Sequence, residues 1–381
     1  MIYRELGNTG LKVGVIGIGT EHLDGRPYED VAQVVHAAAD AGINMMDLFM
    51  PGEEIRRNIG RALKGMRRDF MIQGAIGSVD LKEQYDISRD KDVCKRYFEG
   101  LLKALDTDYI DFGMFFFMDS REALDRILNN GVADYARKLK ERGIIRHIGA
   151  TSHNPLIARE MVEMGLIETL MFSVNAAFDM NPGDATLDNM LVEMGDHRLE
   201  GVDPDRAALY LLCEKKGVGV TSMKTLGAGK LLSAEHTPFA APLSVGQCIH
   251  YALSRPAVAS VMLGYSTPAE VAEACRYLQL SEEEKDYSPV IRGYTGLMRG
   301  ACVYCNHCQP CPAGIDIASV HRYLDIAKLD KVHIPPSVRQ HYASLTAHGS
   351  DCISCGSCEE RCPFGVEVID NMADAMGIFG V

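Results

Sequence analysis

Along the first 280 residues, short runs of apolar and β-branched residues alternate with longer stretches in which apolar positions recur every three to four residues. The short runs read as buried strands and the longer ones as amphipathic helices. Strands are expected at Val15–Gly19, Asn44–Asp47, Phe70–Gly74, Ile110–Phe115, His147–Ala150, Thr169–Ser173, Gly219–Ser222 and Ser260–Leu263. Helices are expected between them at Tyr28–Ala41, Glu53–Lys64, Asp92–Leu105, Gly131–Arg142, Pro155–Glu163, Pro204–Lys215, Val245–Ser254 and Pro268–Leu278. Eight such units predict an α/β chain folded as a (β/α)8 TIM barrel, with its site at the C-terminal ends of the strands. A doubly wound open sheet shares the alternation and is the other arrangement. Residues 2–15 precede the first unit as a hairpin turning at Gly7-Asn8-Thr9-Gly10. Gly17-Ile18-Gly19-Thr20-Glu21-His22 follows a strand as a dinucleotide loop would, but its third glycine is missing.

The alternation ends near Leu280, and Ser281-Glu282-Glu283-Glu284-Lys285-Asp286 begins a crossing to a different kind of sequence. Residues 287–300 read as a tether, and two runs of cysteines follow, containing eight of the chain's twelve. The second run is Cys352, Cys355, Cys358, Cys362 and then Pro363, the C-x2-C-x2-C-x3-C-P spacing of bacterial [4Fe-4S] ferredoxins. The first run, Cys302, Cys305, Cys308 and Cys311, is one residue short before its last member, which makes Cys311 the least secure ligand. Zinc is the rival reading, since C-x2-C pairs also build four-cysteine zinc sites, and disulfides suit a secreted chain. The unbroken series of x2 steps favours two clusters. In ferredoxins of this spacing the fourth cysteine crosses to the other cluster. One cluster then takes Cys302, Cys305, Cys308 and Cys362, and the other Cys352, Cys355, Cys358 and Cys311. The expected layout is a barrel over residues 1–280 and a linker plus small ferredoxin-like α-helical domain over 281–381.

Composition narrows the setting. The chain has 381 residues and is 47% hydrophobic, enough for a large barrel with a small appendage. A net charge of -13 argues against nucleic acid or an anionic membrane surface as partner. The N-terminus lacks a signal-peptide pattern and no apolar run reaches a membrane span, so a cytoplasmic location is expected. Cys94, Cys213, Cys248 and Cys275 fall within helical patterns and read as core thiols.

Several ordered segments carry a resemblance. Tyr3 to Val13, Ala41 to Asp47, Thr107 to Asp111, Ile145 to Ser152, Met223 to Leu231 and Leu263 to Glu270 are similar to the aldo-keto reductase superfamily. The cysteine domain behind them resembles the tail of that family's iron–sulfur branch. The resemblance implies a barrel that binds a nicotinamide cofactor across its mouth and reduces carbonyls by hydride transfer. It also implies a tetrad of Asp, Tyr, Lys and His, in which Tyr protonates the carbonyl oxygen and its neighbours tune it.

Only the aspartate is present. Asp47 matches the family Asp, but Gly52 stands where Tyr belongs, Ala75 where Lys belongs and Phe116 where His belongs. Without the lysine, a buried Asp47 must find another donor or carry a raised pKa. His22, Glu53, Glu54, Asp119 and His153 follow strand ends; each alone is more often a solvated loop residue, and as a set at one mouth they are replacement candidates. Asp47, His22 and His153 are the expected catalytic groups. The resemblance implies cofactor contacts from Thr20, Thr151, Ser152, Leu226, Gly229, Gly264, Ser266 and Glu273. Thr151 and Ser152 stand at the carboxamide-holding pair, and Gly264 and Glu270 where Lys and Arg often hold the adenosine phosphate. Helix N–H groups near Pro268 are a remaining phosphate donor. Flavin is not excluded. Phe115, Phe116, Phe117 and Met118 form either an apolar mouth or barrel core. The long segment 179–203 reads as a lid or a surface loop.

These features favour an iron–sulfur oxidoreductase that moves electrons between two [4Fe-4S] clusters and a substrate or cofactor, NAD(P)(H) among the candidates. A small-molecule substrate and an electron-transfer protein such as a ferredoxin are the expected partners, in an oxygen-poor cell. A non-catalytic electron-transfer or scaffold subunit is the alternative, and an ordinary NAD(P)H-dependent carbonyl reductase is opposed by the missing tetrad.

Overall fold

The computed structural model describes residues 1–80, 85–179, 202–287, 289–290, 302, 308, 310–329, 334, 336–362 and 366–381. The expected lid, apart from its ends, the tether beyond Val290 and Cys305 lie outside the described residues. Twelve strands are described: β1 Tyr3–Glu5, β2 Lys12–Gly14, β3 Ile16–Gly19, β4 Met45–Leu48, β5 Met71–Ile76, β6 Ser78–Asp80, β7 Tyr85–Ile87, β8 Ile110–Phe115, β9 Ile145–Ser152, β10 Thr169–Ser173, β11 Gly219–Met223 and β12 Val258–Gly264. Eight of them close a parallel barrel in the order β3-β4-β5-β8-β9-β10-β11-β12. That is the (β/α)8 arrangement the alternation predicts, and the open-sheet alternative is set aside. Each strand is buried nearly throughout, because helices cover the outside and side chains fill the lumen.

The helices begin where the sequence supplies a cap. Asp90 accepts from Asp92 N and Val93 N ahead of Lys91–Leu105. Asn154 and Asp203 do the same before helices whose first residue is proline. Val31, Val34, Val35 and Ala38 of Tyr28–Asp40 and Phe98 and Leu101 of Lys91–Leu105 recur at helical spacing and join one outer core.

The lumen is packed with flexible thioethers. Met45, Met114, Met171 and Met262 meet Phe112, Leu6 and Val13 in a single buried cluster. Glycine makes room for them. A Cβ on Gly17 would come within 2.5 Å of Met262 Sδ, and one on Gly149 within 2.4 Å of Met114 Sδ. Leu6 and Val13 come from the antiparallel hairpin β1–β2, which therefore stops the barrel at the strands' N-terminal ends. Gly7 touches the start of β11 so closely that a Cβ would lie 2.3 Å from Gly217 O. Burying Leu6 and Val13 is worth about 1.5–3 kcal/mol each.

Some elements were not anticipated from the pattern. A second hairpin, β6–β7, follows β5, and a helix at Arg121–Asn129 precedes Val132–Glu141. The four isolated cysteines behave as expected. Cys94, Cys213 and Cys248 are buried, and burial pushes their thiols up to about 11, 12 and 12. Cys275 is half-buried and its thiol is raised for the same reason.

Contacts divide the chain into two compact units: Met1–Met180 with Thr186–Thr237 and Ala241–Ile291, and Asn181–Ala185 with Pro238–Ala240 and Arg292–Val381. The second unit contains helices Ile317–Leu329, Pro336–Ala343 and Val368–Phe379. Tyr342 stacks on Phe379 with ring centres 4.0 Å apart, and its hydroxyl donates to Val381 O and accepts from Gly349 N. Among the described residues no helix is long and apolar enough to cross a membrane.

Candidate functional site

In the second unit, Cys311, Cys352, Cys355 and Cys358 line one cavity with Ile315, Ile317, Val368 and Met372. The loop that carries three of these thiols turns tightly, with Ser354 at φ 53° and Gly356 at φ 76°. Cys355 is exposed, and the Ser357 N–H beside it, with the Ser357 hydroxyl 3.7 Å away, holds its thiol below the usual value. Arg361, next to Cys362, donates to Cys308 O at 2.9 Å and Pro310 O at 2.7 Å, which ties the end of the second run to the first. Among the described residues no three Cys, His, Asp or Glu side chains converge as a single metal ion requires. A cubane takes one thiolate at each of four irons around a volume. The thiol set fits the cubane.

At the strands' C-terminal ends of the barrel, Asp47 stands one residue before the end of β4 and is only 4% exposed. Its main-chain oxygen accepts from Thr20 N at 3.2 Å and Thr20 Oγ1 at 2.8 Å, so Thr20 is spent on backbone. No described side chain donates to the Asp47 carboxylate. Ala75 and Phe116, expected at the lysine and histidine positions, are both buried. Burial first, and Glu21 second, push the Asp47 carboxyl up to about 7. Gln73, its register partner on β5, accepts from Thr221 Oγ1 at 3.3 Å and leaves Nε2 buried without a partner among the described residues.

Across the mouth the register of β8 with β9 brings Asp119 and His153 together. His153 N donates to Asp119 Oδ1 at 2.6 Å, and His153 Nδ1 lies 2.8 Å from Oδ2. Ser152 Oγ donates to Oδ1 at 3.1 Å. Burial alone would raise the Asp119 carboxyl, but the His153 charge and these bonds outweigh it and hold the group below its usual value. The pairing leaves His153 Nε2 without a described partner, on a side chain 28% exposed.

Between these two acids runs an aromatic wall. Phe49 stacks on Phe116 at 5.4 Å, Tyr85 meets Phe49 edge-on at 5.6 Å, and Phe117 leans on His153 at 5.1 Å. Phe117 holds φ 56°, a left-handed conformation costly for a side chain of that size. It is held there by three bonds. Thr151 Oγ1 accepts from Phe117 N at 2.7 Å, and Arg89 Nη2 donates to Phe116 O at 2.7 Å and Phe117 O at 2.9 Å. Burial lowers the Arg89 guanidinium to about 10. Phe115 and Met118 instead point into the outer core, so the expected four-residue apolar mouth reduces to Phe116 and Phe117.

The other expected residues are scattered around the rim. His22 lies flat against Gly264, where a Cβ would come within 2.0 Å of its ring. Glu53 pairs with Arg57 in solvent, and Glu54 sits in the same exposed first helical turn. Glu273 pairs with Arg276 at 3.0 Å on an exposed surface. Leu226 and Gly229 flank a loop in which Gly227, Ala228 and Gly229 all take positive φ. Ser266 and Thr267 are capped by Glu270. Sequence reading missed Arg89, Phe49, Tyr85 and Arg361.

A parallel barrel with acids at its strand ends, joined in one chain to a cysteine-built cavity, defines an oxidoreductase carrying an iron–sulfur module. Comparison with known proteins agrees. Residues 15–243 match the Aldo/keto reductase family and residues 301–367 match the 4Fe-4S dicluster domain. The chain belongs to the aldo/keto reductase family. It is 28% identical over 300 residues to the uncharacterized oxidoreductase YqkF of Bacillus subtilis, covering 74% of this chain and 93% of that one. It is 27% identical over 313 residues to L-galactose dehydrogenase of Arabidopsis thaliana, covering 71% and 86%. Among solved structures, the holo form of aldo-keto reductase AKR11C1 from Bacillus halodurans matches with a TM-score of 0.59 at 22% identity, over 78% of this chain and 98% of that one. At that identity the likeness speaks for the fold.

Proposed function

We propose that the chain is an iron–sulfur oxidoreductase in which two [4Fe-4S] clusters serve a small organic molecule bound at the barrel mouth, without the Tyr/Lys/His mechanism of its family. The barrel of residues 1–280 binds that molecule, and residues 281–381 form the linker and cluster domain. Cys302, Cys305, Cys308 and Cys362 hold one cluster and Cys311, Cys352, Cys355 and Cys358 the other. When bound, the clusters supply one-electron transfer at low potential. The observation that carries the reading is the position of Cys311, a first-run cysteine standing in the cavity of the second run.

The mouth residues supply protons and position. Asp47, with its carboxyl near 7, keeps a proton at neutral pH that an ordinary surface carboxylate would have lost. His153, oriented by Asp119 through Nδ1, presents Nε2 to take or return a proton. Phe49, Phe116 and Phe117 exclude water beside both. The missing Lys and Tyr leave no phenol to protonate a carbonyl in the usual way. An oxygen-poor cytoplasm and a ferredoxin-type protein as electron partner belong to this reading.

Anaerobic purification with iron and sulfide counts, followed by reductive titration, tests the reading. About eight irons per chain, with Cys311→Ala losing about half of them, is the expected result. Four irons, or zinc in their place, overturns it.

A further inference from the structure

The fold implies a nicotinamide dinucleotide lying across the barrel mouth with its adenosine phosphate near the last helix, and the residues at that end do not fit one. The helix Pro268–Cys275 starts directly after the loop that follows β12. Helix N-termini attract phosphate because their first N–H groups lack acceptors. Here the N–H groups of Ser266, Thr267 and Glu270 already have acceptors within the chain. Glu270 Oε2 accepts from Ser266 N at 2.5 Å and Thr267 N at 3.2 Å, and Thr267 Oγ1 accepts from Glu270 N at 3.4 Å. The chain has placed its own carboxylate where an anion would sit.

Two further features close the same end. The His22 ring covers Gly264, filling the space beside the last residue of β12. Arg26, the nearby cation, is turned to main-chain oxygens, with Nε on His22 O at 2.9 Å and Nη1 on Ser266 O at 3.4 Å. The surrounding charge is also wrong for a pyrophosphate. Asp24, on an exposed turn, has Glu21, Glu54 and Asp80 as like-charged neighbours, and desolvation followed by their charges raises its carboxyl. At the carboxamide end, Thr151 Oγ1 is occupied by Phe117 N, and Ser152 Oγ by Met118 O and Asp119.

We propose that this barrel takes no NAD(P)(H), because Glu270 fills the phosphate subsite with its own carboxylate and His22 seals the gap at Gly264. The molecule that reacts at the mouth is therefore one without a pyrophosphate, and its electrons arrive from a source other than a bound nicotinamide. The inference takes from the proposed function only that the mouth is the binding end. Its test reads affinity, so its failure would leave the iron count untouched.

Equilibrium binding of NADH and of NADPH to the full, cluster-loaded chain decides the matter, followed by the change in nicotinamide fluorescence. The wild-type chain is expected to show no saturable binding up to about 1 mM. The variant E270R/H22A, which replaces the carboxylate with a cation and opens the gap, is expected to bind NADPH at least about tenfold more tightly than wild type, and more tightly than it binds NADH. E270Q keeps an acceptor for the cap and lacks the charge, so it reports the charge effect in a chain whose helix start is preserved. Wild-type binding of either nucleotide that saturates below about 1 mM overturns the proposal. So does an opened variant that folds, by its circular dichroism, and still binds neither.

Discussion

Asp47 and Asp119 sit at the same mouth, both at the ends of barrel strands and both largely withdrawn from water, yet they carry opposite charge preferences. Asp47 has burial and a neighbouring glutamate acting on it and no donor, and its carboxyl rises to about 7. Asp119 has the His153 N–H, the His153 ring and the Ser152 hydroxyl, and it falls below the ordinary value. Burial alone therefore fixes neither. What decides is whether the protein replaces the lost water with donors. The contrast also separates their work, since one acid holds a proton and the other holds a histidine.

Removing the donors' target gives the largest effect. Asp119→Ala strands His153 N and His153 Nδ1, while Ser152 Oγ keeps Met118 O, and we expect a loss of about 3–5 kcal/mol in urea denaturation. A loss below about 1 kcal/mol would mean that the three bonds are exchanged for water at no cost.

The pH dependence of stability comes next. Asp47 keeps its proton in the folded chain until about pH 7, while the unfolded chain loses it near 3.8, so the folded state binds more protons in between. Stability must fall as pH rises across that window, by roughly 2–4 kcal/mol. Asp47→Asn removes that slope. Asp119 acts in the opposite sense: its contribution is present above the unfolded value and lost as pH falls through the folded one. Denaturation series from pH 4 to 8 on wild type and Asp47→Asn separate the two, and an unchanged slope in the variant would refute the raised Asp47.

The smallest effect belongs to the loop that connects the acids. Thr151→Val removes the acceptor of Phe117 N, and should cost about 1 kcal/mol. If the left-handed Phe117 relaxes once released, the variant would match wild type in melting temperature.

Much of this molecule was legible because the barrel strands are long apolar runs bounded by helix caps. Ile110–Phe115 and Thr169–Ser173 appear at their expected limits. The hairpin β6–β7 escaped notice because its strands have three residues each, too few to show alternation. Asp119 and His153 lie 34 residues apart, and only the pairing of β8 with β9 makes them neighbours. Arg89 reads in sequence as one charge in a polar stretch, with no sign that it reaches the Phe116 and Phe117 carbonyls. Glu270 is different, because Thr267-Pro268-Ala269-Glu270 is a readable capping box. The helix start was expected to have free N–H groups, although the glutamate that occupies them stands three residues along. The absence of the tetrad remains an expectation of the sequence, carried by Gly52, Ala75 and Phe116 at the positions the resemblance implies.

The hairpin that stops the barrel has a consequence for traffic. Leu6 and Val13 join Met45, Met114, Met171 and Met262 in the cluster that fills the lumen, so nothing passes through the barrel from that end. On the function proposed above, a small molecule is met only at the strands' other ends.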